Sequence, residues 1–229
     1  MRQVSVLTAL LSLAAASFAQ QTPHPDQMPD HMEHRFDNPE EQARTFDDPK
    51  RDEWQMPERV IAALGLKPGD IVADVGSGTG YFSVRLAKSA AHPKVIGSDI
   101  EPAMVRYLAD RAEKEGLKNI VSVRASATSP NLPELVDAVL IVDTYHHIGN
   151  RAVYFRQLRK SLKSGGRVAI IDFRVDSPEG PPKEFRFSFG QFSREMSEAG
   201  YRLAARHDFL PRQQFLIFEP ARGAGADRY

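Results

Sequence analysis

Short apolar runs alternate along the chain with stretches whose apolar residues recur every three or four positions. The runs at 71–75, 95–98, 120–123, 136–142 and 167–171 are rich in β-branched residues and flanked by polar residues or glycine, the mark of buried strands. Asp137 interrupts the fourth run only at its entry. Helical spacing fills 82–91, 102–115 and 151–163. The second of these opens on Pro102 and closes at Gly116. Tyr154, Leu158 and Leu162 share one face of the third. Strands alternating with helices imply parallel pairing through right-handed crossovers.

The end of the chain breaks that rhythm. A helix over 191–199 closes at Gly200, and strands follow at 201–207 and 214–218. Only residues 208–213 separate them, too few for a crossover helix, so this pair is antiparallel. At the other end, Asn38-Pro39 and Asp48-Pro49 each place a capping side chain before proline, predicting helices at 39–45 and 49–55. A third helix over 57–65 carries Val60, Ile61 and Leu64 on one face. The single tryptophan, Trp54, falls in this region, where it and Phe46 either cover a ligand or pack on the sheet edge.

The chain begins with Arg2, an apolar stretch over 4–16 and Ser17-Phe18-Ala19 before Gln20, which reads as a secretory signal peptide. The expected divisions are a signal peptide at 1–19, a flexible linker at 20–35, a helical cover at 36–66 and the main domain at 67–229. Export, to the periplasm, follows from that reading, or a cytoplasmic location if the start codon is mis-set; no stable membrane span is expected after cleavage. In the linker, His24, Met28, His31, Met32 and His34 are too loosely spaced for a metal site, and none is expected. Its 229 residues suffice for one domain with a real core.

Charge and cysteine content narrow the classes. Lys and Arg number 30, and so do Asp and Glu. Removing 1–19 takes away only Arg2 and leaves 29 against 30. Such a balance points to no nucleic-acid or membrane-surface partner. There is no cysteine, which excludes disulfides, thiolate metal sites and a cysteine nucleophile. Nothing in the pattern sets an oligomeric state.

The candidate chemistry sits where the first strand ends. Asp74 is followed by Gly76, Gly78 and Gly80 at every second position, and a helix begins beyond them. Glycines let a backbone turn tightly and approach a ligand, and a helix N-terminus offers free N–H groups. A dinucleotide fingerprint, G-x-G-x-x-G, would need glycine at position 81, which is Tyr81. The pieces Val72-Ala73-Asp74-Val75-Gly76-Ser77-Gly78-Thr79-Gly80, Ile96-Gly97-Ser98-Asp99-Ile100, Asp137-Ala138-Val139-Leu140, Tyr145-His146-His147-Ile148 and Leu162-Lys163-Ser164-Gly165-Gly166-Arg167 together resemble class I S-adenosylmethionine-dependent methyltransferases. The resemblance spans roughly 54–219. It implies an α/β fold, a three-layer, doubly wound, mainly parallel seven-stranded sheet with a terminal antiparallel hairpin.

The resemblance also implies roles. Asp74, Gly76, Ser77, Gly78, Thr79 and Gly80 would hold the methionine and ribose parts of S-adenosylmethionine. Asp99, about twenty residues beyond the glycines, would accept bonds from both ribose hydroxyls, or else serve as a cap before Pro102. Ile100 and Met104 would pack on adenine. The acid that many relatives carry after the third strand is missing from Arg124-Ala125-Ser126-Ala127-Thr128, so Ser126 or a backbone group would substitute. Asp143 would face the methionine end or the sulfonium, or pair with a basic side chain. His147, and next to it His146, are candidate bases for an acceptor proton, or structural. Asp172 and Phe173 are further pocket candidates; Phe185, Phe187 and Phe189 line a substrate pocket or pack as core.

No Asp/Asn-Pro-Pro-aromatic run follows the fourth strand, as it does in amino-methylating nucleic-acid enzymes. Cytosine-carbon and arsenic-thiolate chemistries need cysteine. The remaining expectation is in-line methyl transfer to a small-molecule acceptor. The alternatives are an exported, non-catalytic binding protein that keeps the fold, and a nicotinamide-dependent oxidoreductase, which Tyr81 and the terminal hairpin oppose.

Overall fold

The computed structural model describes residues 38–221. The signal peptide, the linker and the start of the helical cover at 36–37 lie outside them. Three short helices lead: α1 (Pro39–Phe46), α2 (Arg51–Gln55) and α3 (Pro57–Leu64). Then β1 (Ile71–Val75), α4 (Tyr81–Lys88), β2 (Lys94–Asp99), α5 (Pro102–Lys114) and β3 (Ile120–Arg124) form one half of the domain. The other half is β4 (Val136–Val142), α6 (Arg151–Arg159), β5 (Leu162–Phe173), α7 (Phe189–Glu198), β6 (Tyr201–His207) and β7 (Gln213–Pro220).

The sheet has seven strands in the order β3-β2-β1-β4-β5-β7-β6. The first five are parallel, while β7 runs antiparallel to both β5 and β6. The expected fold class and terminal hairpin are therefore present. The order reverses between β1 and β4, where open α/β sheets place their ligand crevice. Alternation along the strands sends Val72, Leu140 and Ile171 to a core shared with α3, α4 and α5. Ala73, Val139 and Ile170 face the opposite core, filled by Phe155, Leu158, Phe192 and Met196 of α6 and α7. Two cores with a sheet between them make three layers.

Several boundaries differ from the sequence reading. The second helix begins at Arg51, because Asp48 caps a turn: its Oδ1 accepts from Lys50 N at 2.9 Å. Helix α6 ends at Arg159, and Leu162, which has helical spacing, instead pairs with Val136 as the start of β5. Gly165-Gly166 sits inside that strand's run, at a shift of register. Among the described residues no helix is long and apolar enough to cross a membrane.

Candidate active site

At the end of β1 the chain makes the expected tight turn. Gly76, Gly78 and Gly80 have φ of +74°, +51° and +90°, which side-chain-bearing residues rarely adopt. Gly76 N and Ser77 N donate to Ser98 O at 2.8 and 3.2 Å, tying the loop to β2. A Cβ on Gly76 would lie 2.1 Å from Thr144 Oγ1. Gly80 serves a different purpose from the one expected. It caps α4, and a Cβ there would meet Leu108 at 2.5 Å, so it closes the loop from behind rather than lining the cavity.

That cavity, of about 680 Å³, opens over the carboxyl ends of β1, β2 and β4. Asp74, Ser77, Gly78, Thr79, Asp99, Ile100, Met104, Ser126 and Asp143 all reach it, as do His146 and His147. Ser77 Oγ and Thr79 Oγ1 are buried with no hydrogen-bond partner among the described residues. Both oxygens are covered by protein, Ser77 Oγ lying against Gly97 of β2. Asp74 accepts from Ser83 Oγ at 2.6 Å. Burial pushes its carboxyl up to about 6 against the Ser83 bond, and the charge of Asp99 adds to the rise. Asp99 accepts from Gly78 N at 2.8 Å and Glu101 N at 2.9 Å, so it is both a brace and a cavity wall, and burial raises its pKa too. Each of its oxygens keeps a second lone pair.

Toward the expected adenine end, Met104 is buried and Ile100 is 50% exposed. Ser126 Oγ donates to Ser129 O at 3.2 Å within its own turn.

The opposite wall is built from distant segments. Asp143 ends β4 at φ +51°. Gln213 Nε2 donates to its Oδ1, and Arg51 Nη2 lies 3.6 Å from its Oδ2. Gln55 Nε2 donates to Gln213 Oε1 at 2.6 Å, and Arg51 Nε donates to Gln55 Oε1 at 3.2 Å. Four side chains thus close a ring. Burial raises the Asp143 pKa, Arg51 opposes the rise, and Asp172 adds to it. The Arg51 guanidinium also sits 4.1 Å from the Tyr81 ring centroid, with Arg85 at 3.9 Å. Sequence reasoning missed Arg51, Gln55 and Gln213. Two buried glutamines, one opening an apolar strand, were the available signal.

Asp172 does not reach the cavity; it holds His146. Both Asp172 oxygens lie 3.0 Å from His146 Nδ1, and His146 N donates to Oδ2 at 3.2 Å. With Nδ1–H directed at a carboxylate, Nε2 carries the lone pair. It has no hydrogen-bond partner among the described residues, although the side chain is only 6% exposed and borders the cavity. Burial works against the imidazolium, but Asp172 and Asp143 outweigh it, and the His146 pKa is raised. His147 is exposed, its ring 4.2 Å from that of His146. Phe46, Trp54 and Phe173 line the cavity. Phe185 and Phe187 are buried away from it, and Phe189 is partly exposed on α7.

With this geometry in place, comparison is informative. A family model described as a methyltransferase domain matches residues 66–199, more than half of the chain. Erythromycin 3''-O-methyltransferase of Saccharopolyspora erythraea is 32% identical over 139 residues, 56% of this chain and 44% of that protein. The 27-O-demethylrifamycin SV methyltransferase of Amycolatopsis mediterranei is 33% identical over 129 residues, 55% of this chain and 47% of that one. The chain spans less than half the length of these relatives in the matched region. A SAM-dependent methyltransferase from Aquifex aeolicus superposes with a TM-score of 0.72 at 27% identity, over 79% of this chain and 97% of that one. Magnesium protoporphyrin IX methyltransferase from Synechocystis PCC 6803, solved with bound SAM, gives 0.58 at 21% identity over 75% and 81%, a likeness of fold. The chain belongs to the class I S-adenosylmethionine-dependent methyltransferase family.

Proposed function

We propose that this chain binds S-adenosylmethionine in the cavity over β1, β2 and β4 and methylates a small-molecule acceptor there, with His146 taking the acceptor's proton. The observation that carries the reading is one cavity bordered both by the glycine loop with Asp99 and by a histidine fixed on a carboxylate. The residues present fit the cofactor. A volume of about 680 Å³ lies within the usual range for ligand pockets. Asp74, Asp99 and Asp143 supply carboxylates for a cation, and each Asp99 oxygen keeps a lone pair for a ribose hydroxyl.

When bound, S-adenosylmethionine supplies a methyl group on a sulfonium, open to in-line displacement. The chain's own work is alignment, water exclusion and proton removal. Asp172 holds the His146 tautomer so that Nε2 faces the acceptor. Relatives named for methyl transfer to oxygen and to nitrogen match over about the same share of the chain, and a base that removes a proton suits a hydroxyl acceptor.

Calorimetry with S-adenosylmethionine and its demethylated product is expected to give saturable binding. Asp99→Ala is expected to weaken it at least tenfold, given roughly 1.5–3 kcal/mol for a hydrogen bond to a charged group. No heat with either compound would sink the reading. His146→Gln is expected to lower turnover by roughly 10²–10⁴ with cofactor affinity nearly intact. The sequence slightly favoured His147 over His146, and a larger loss in His147→Gln than in His146→Gln would return the role to His147.

The same proposal extends to location. Residues 1–19 are removed on export and the mature chain starts at Gln20. Terminal peptide mass spectrometry on cell fractions tests this, and an intact Met1 in the cytoplasm would contradict it.

A further inference from the structure

The cofactor and the base account for one side of the cavity. The remaining wall is apolar and aromatic: Trp54, Phe173, Ile148 and Tyr154, closed by the strap Gly180-Pro181-Pro182. The strap is held tightly against this wall. Gly180 has φ of +120°, and a Cβ there would lie 2.5 Å from the Phe173 ring. The Trp54 and Phe173 rings sit 5.9 Å apart, tilted by 39°. Resting on the reading above, we propose that this subsite takes an uncharged aromatic alcohol, a phenol, with its hydroxyl directed to His146 Nε2.

Three observations favour this class. First, the wall is composed of ring faces and prolines, which bury a flat apolar body well and offer a polar group little. Second, the charges at the cavity are unsuited to an anionic acceptor. Asp74, Asp99, Glu101 and Asp143 line it, whereas Arg51, the one arginine or lysine lining it among the described residues, is already engaged by Asp143, Gln55 and Phe46 O. A carboxylate or phosphate would enter next to acids, with no free arginine or lysine among the described residues to meet it. Third, the base suits a phenol. A phenolic O–H ionises near pH 10, whereas bulk water, to which an aliphatic hydroxyl is comparable, has a pKa of about 15.7. An imidazole can take the first proton far more readily than the second.

The step balances. The phenol O–H bond breaks and its proton goes to His146 Nε2. The oxygen forms a bond to the methyl carbon while the carbon–sulfur bond breaks, its electron pair staying on sulfur. The products are an aryl methyl ether and the demethylated cofactor, and His146 returns the proton to solvent.

Trp54 is the only tryptophan in the sequence, so occupancy of this wall can be read by fluorescence, independently of turnover. The full chain, saturated with demethylated cofactor, would be titrated with 4-methylphenol, 4-phenylphenol, cyclohexanol, benzylamine and benzoate, with excitation above tyrosine absorption. Both phenols are expected to change Trp54 emission saturably and, with S-adenosylmethionine, to yield methyl ethers by mass spectrometry. Trp54→Ala is expected to raise the phenol KM at least tenfold with the cofactor Kd unchanged, and Trp54→Phe to raise it much less. Cofactor binding with no fluorescence response and no ether from either phenol overturns the proposal and leaves the methyltransferase reading standing. Turnover of benzoate, benzylamine or cyclohexanol at or above the phenols also overturns it. Absence of cofactor binding sinks the reading beneath it instead.

Discussion

On the glycine-loop wall of the cavity, position is set by backbone. Gly76 and Ser77 give their N–H groups to Ser98 O, Gly78 gives its own to Asp99, and positive φ at three glycines turns the chain. On the facing wall, position is set by side chains. Arg51 and Gln55 of α2, Asp143 at the end of β4 and Gln213 at the start of β7 close one ring of contacts across three distant segments. The first wall is a local solution that one strand–turn–helix carries wherever it folds. The second exists only once the helical cover, β4 and β7 have assembled. The cofactor wall is therefore built into the fold's framework, and the cover wall is an addition fastened by side chains.

The sharpest way to break the backbone wall is Gly76→Ala. The new methyl would meet Thr144 Oγ1, Cγ2 and Cβ at 2.1 to 2.8 Å, at a φ of +74°. Overpacking costs roughly 1–3 kcal/mol, and left-handed backbone a further 1–2 kcal/mol. Urea unfolding is expected to show a loss of about 2–5 kcal/mol, with cofactor binding abolished. Adding Thr144→Gly is expected to recover the packing share and leave the backbone share. An unchanged midpoint for Gly76→Ala would show that the loop yields, and the contrast between the walls would fail.

The next largest effect comes from the charge beneath that wall. Burial raises Asp74 from its ordinary value of 3.8 to about 6. A carboxyl whose folded pKa is raised stabilises most while protonated. Its contribution is full below pH 3.8 and is lost as pH rises through about 6. That interval corresponds to roughly 3 kcal/mol. Asp74→Asn stays neutral and can still accept from Ser83. Without ligand, its stability relative to wild type is expected to improve progressively between pH 4 and pH 7. Parallel pH profiles for the two proteins would mean that Asp74 is solvated well enough to ionise freely.

Breaking the other wall should cost less overall and act farther away. Gln213→Leu leaves the buried Gln55 Nε2 and the half-buried Asp143 Oδ1 short of a partner, for about 2 kcal/mol. The distinguishing readout is hydrogen exchange. Amides of α2 are expected to exchange at least tenfold faster, while those of the glycine loop and α4 hold. Acceleration spread evenly over both walls would merge them into one unit.

The same contrast explains what the sequence made legible. The glycine loop and Asp99 could be read because their partners lie within about twenty residues. The sheet and its terminal hairpin could be read because run length and loop length constrain pairing. Gln55 and Gln213 are 158 positions apart, and nothing local says that they meet. The pairing of His146 with Asp172 was hidden likewise: both were noticed, but only the β4–β5 neighbourhood brings them together. Gly80 was read as a cofactor residue because spacing reveals a turn and not which side of it faces the ligand. Leu162 fitted the helical period of α6, yet pairing with Val136 prevailed.

The smallest expected effect tests how the two walls are joined. Arg111 of α5 is one residue that touches both, as Tyr81 and Arg85 of α4 do through Asp52 of α2. Arg111 Nη1 donates to both Asp47 oxygens at 3.0 Å, just beyond α1, and to Thr79 O at 3.0 Å in the glycine loop. Its Nε donates to Glu115 at 2.9 Å. Side-chain exposure of 22% for both Arg111 and Asp47 leaves the pair partly screened. Arg111→Lys keeps the charge but reaches with one ammonium in place of a fork. The expected loss is about 1 kcal/mol. Its informative use is in combination with Gln213→Leu. Sites without shared partners add within about 0.5 kcal/mol, and Arg111 shares none with the Gln213 ring in the folded chain. If the cover is held by two independent fastenings, the double variant loses the sum. If opening one end releases the other, the second substitution costs almost nothing after the first, because its partners have already parted. Additive losses with exchange confined to α2 in Gln213→Leu, and to α1 in Arg111→Lys, would divide the cover into two pieces. A double variant no less stable than Gln213→Leu alone would make it one lid.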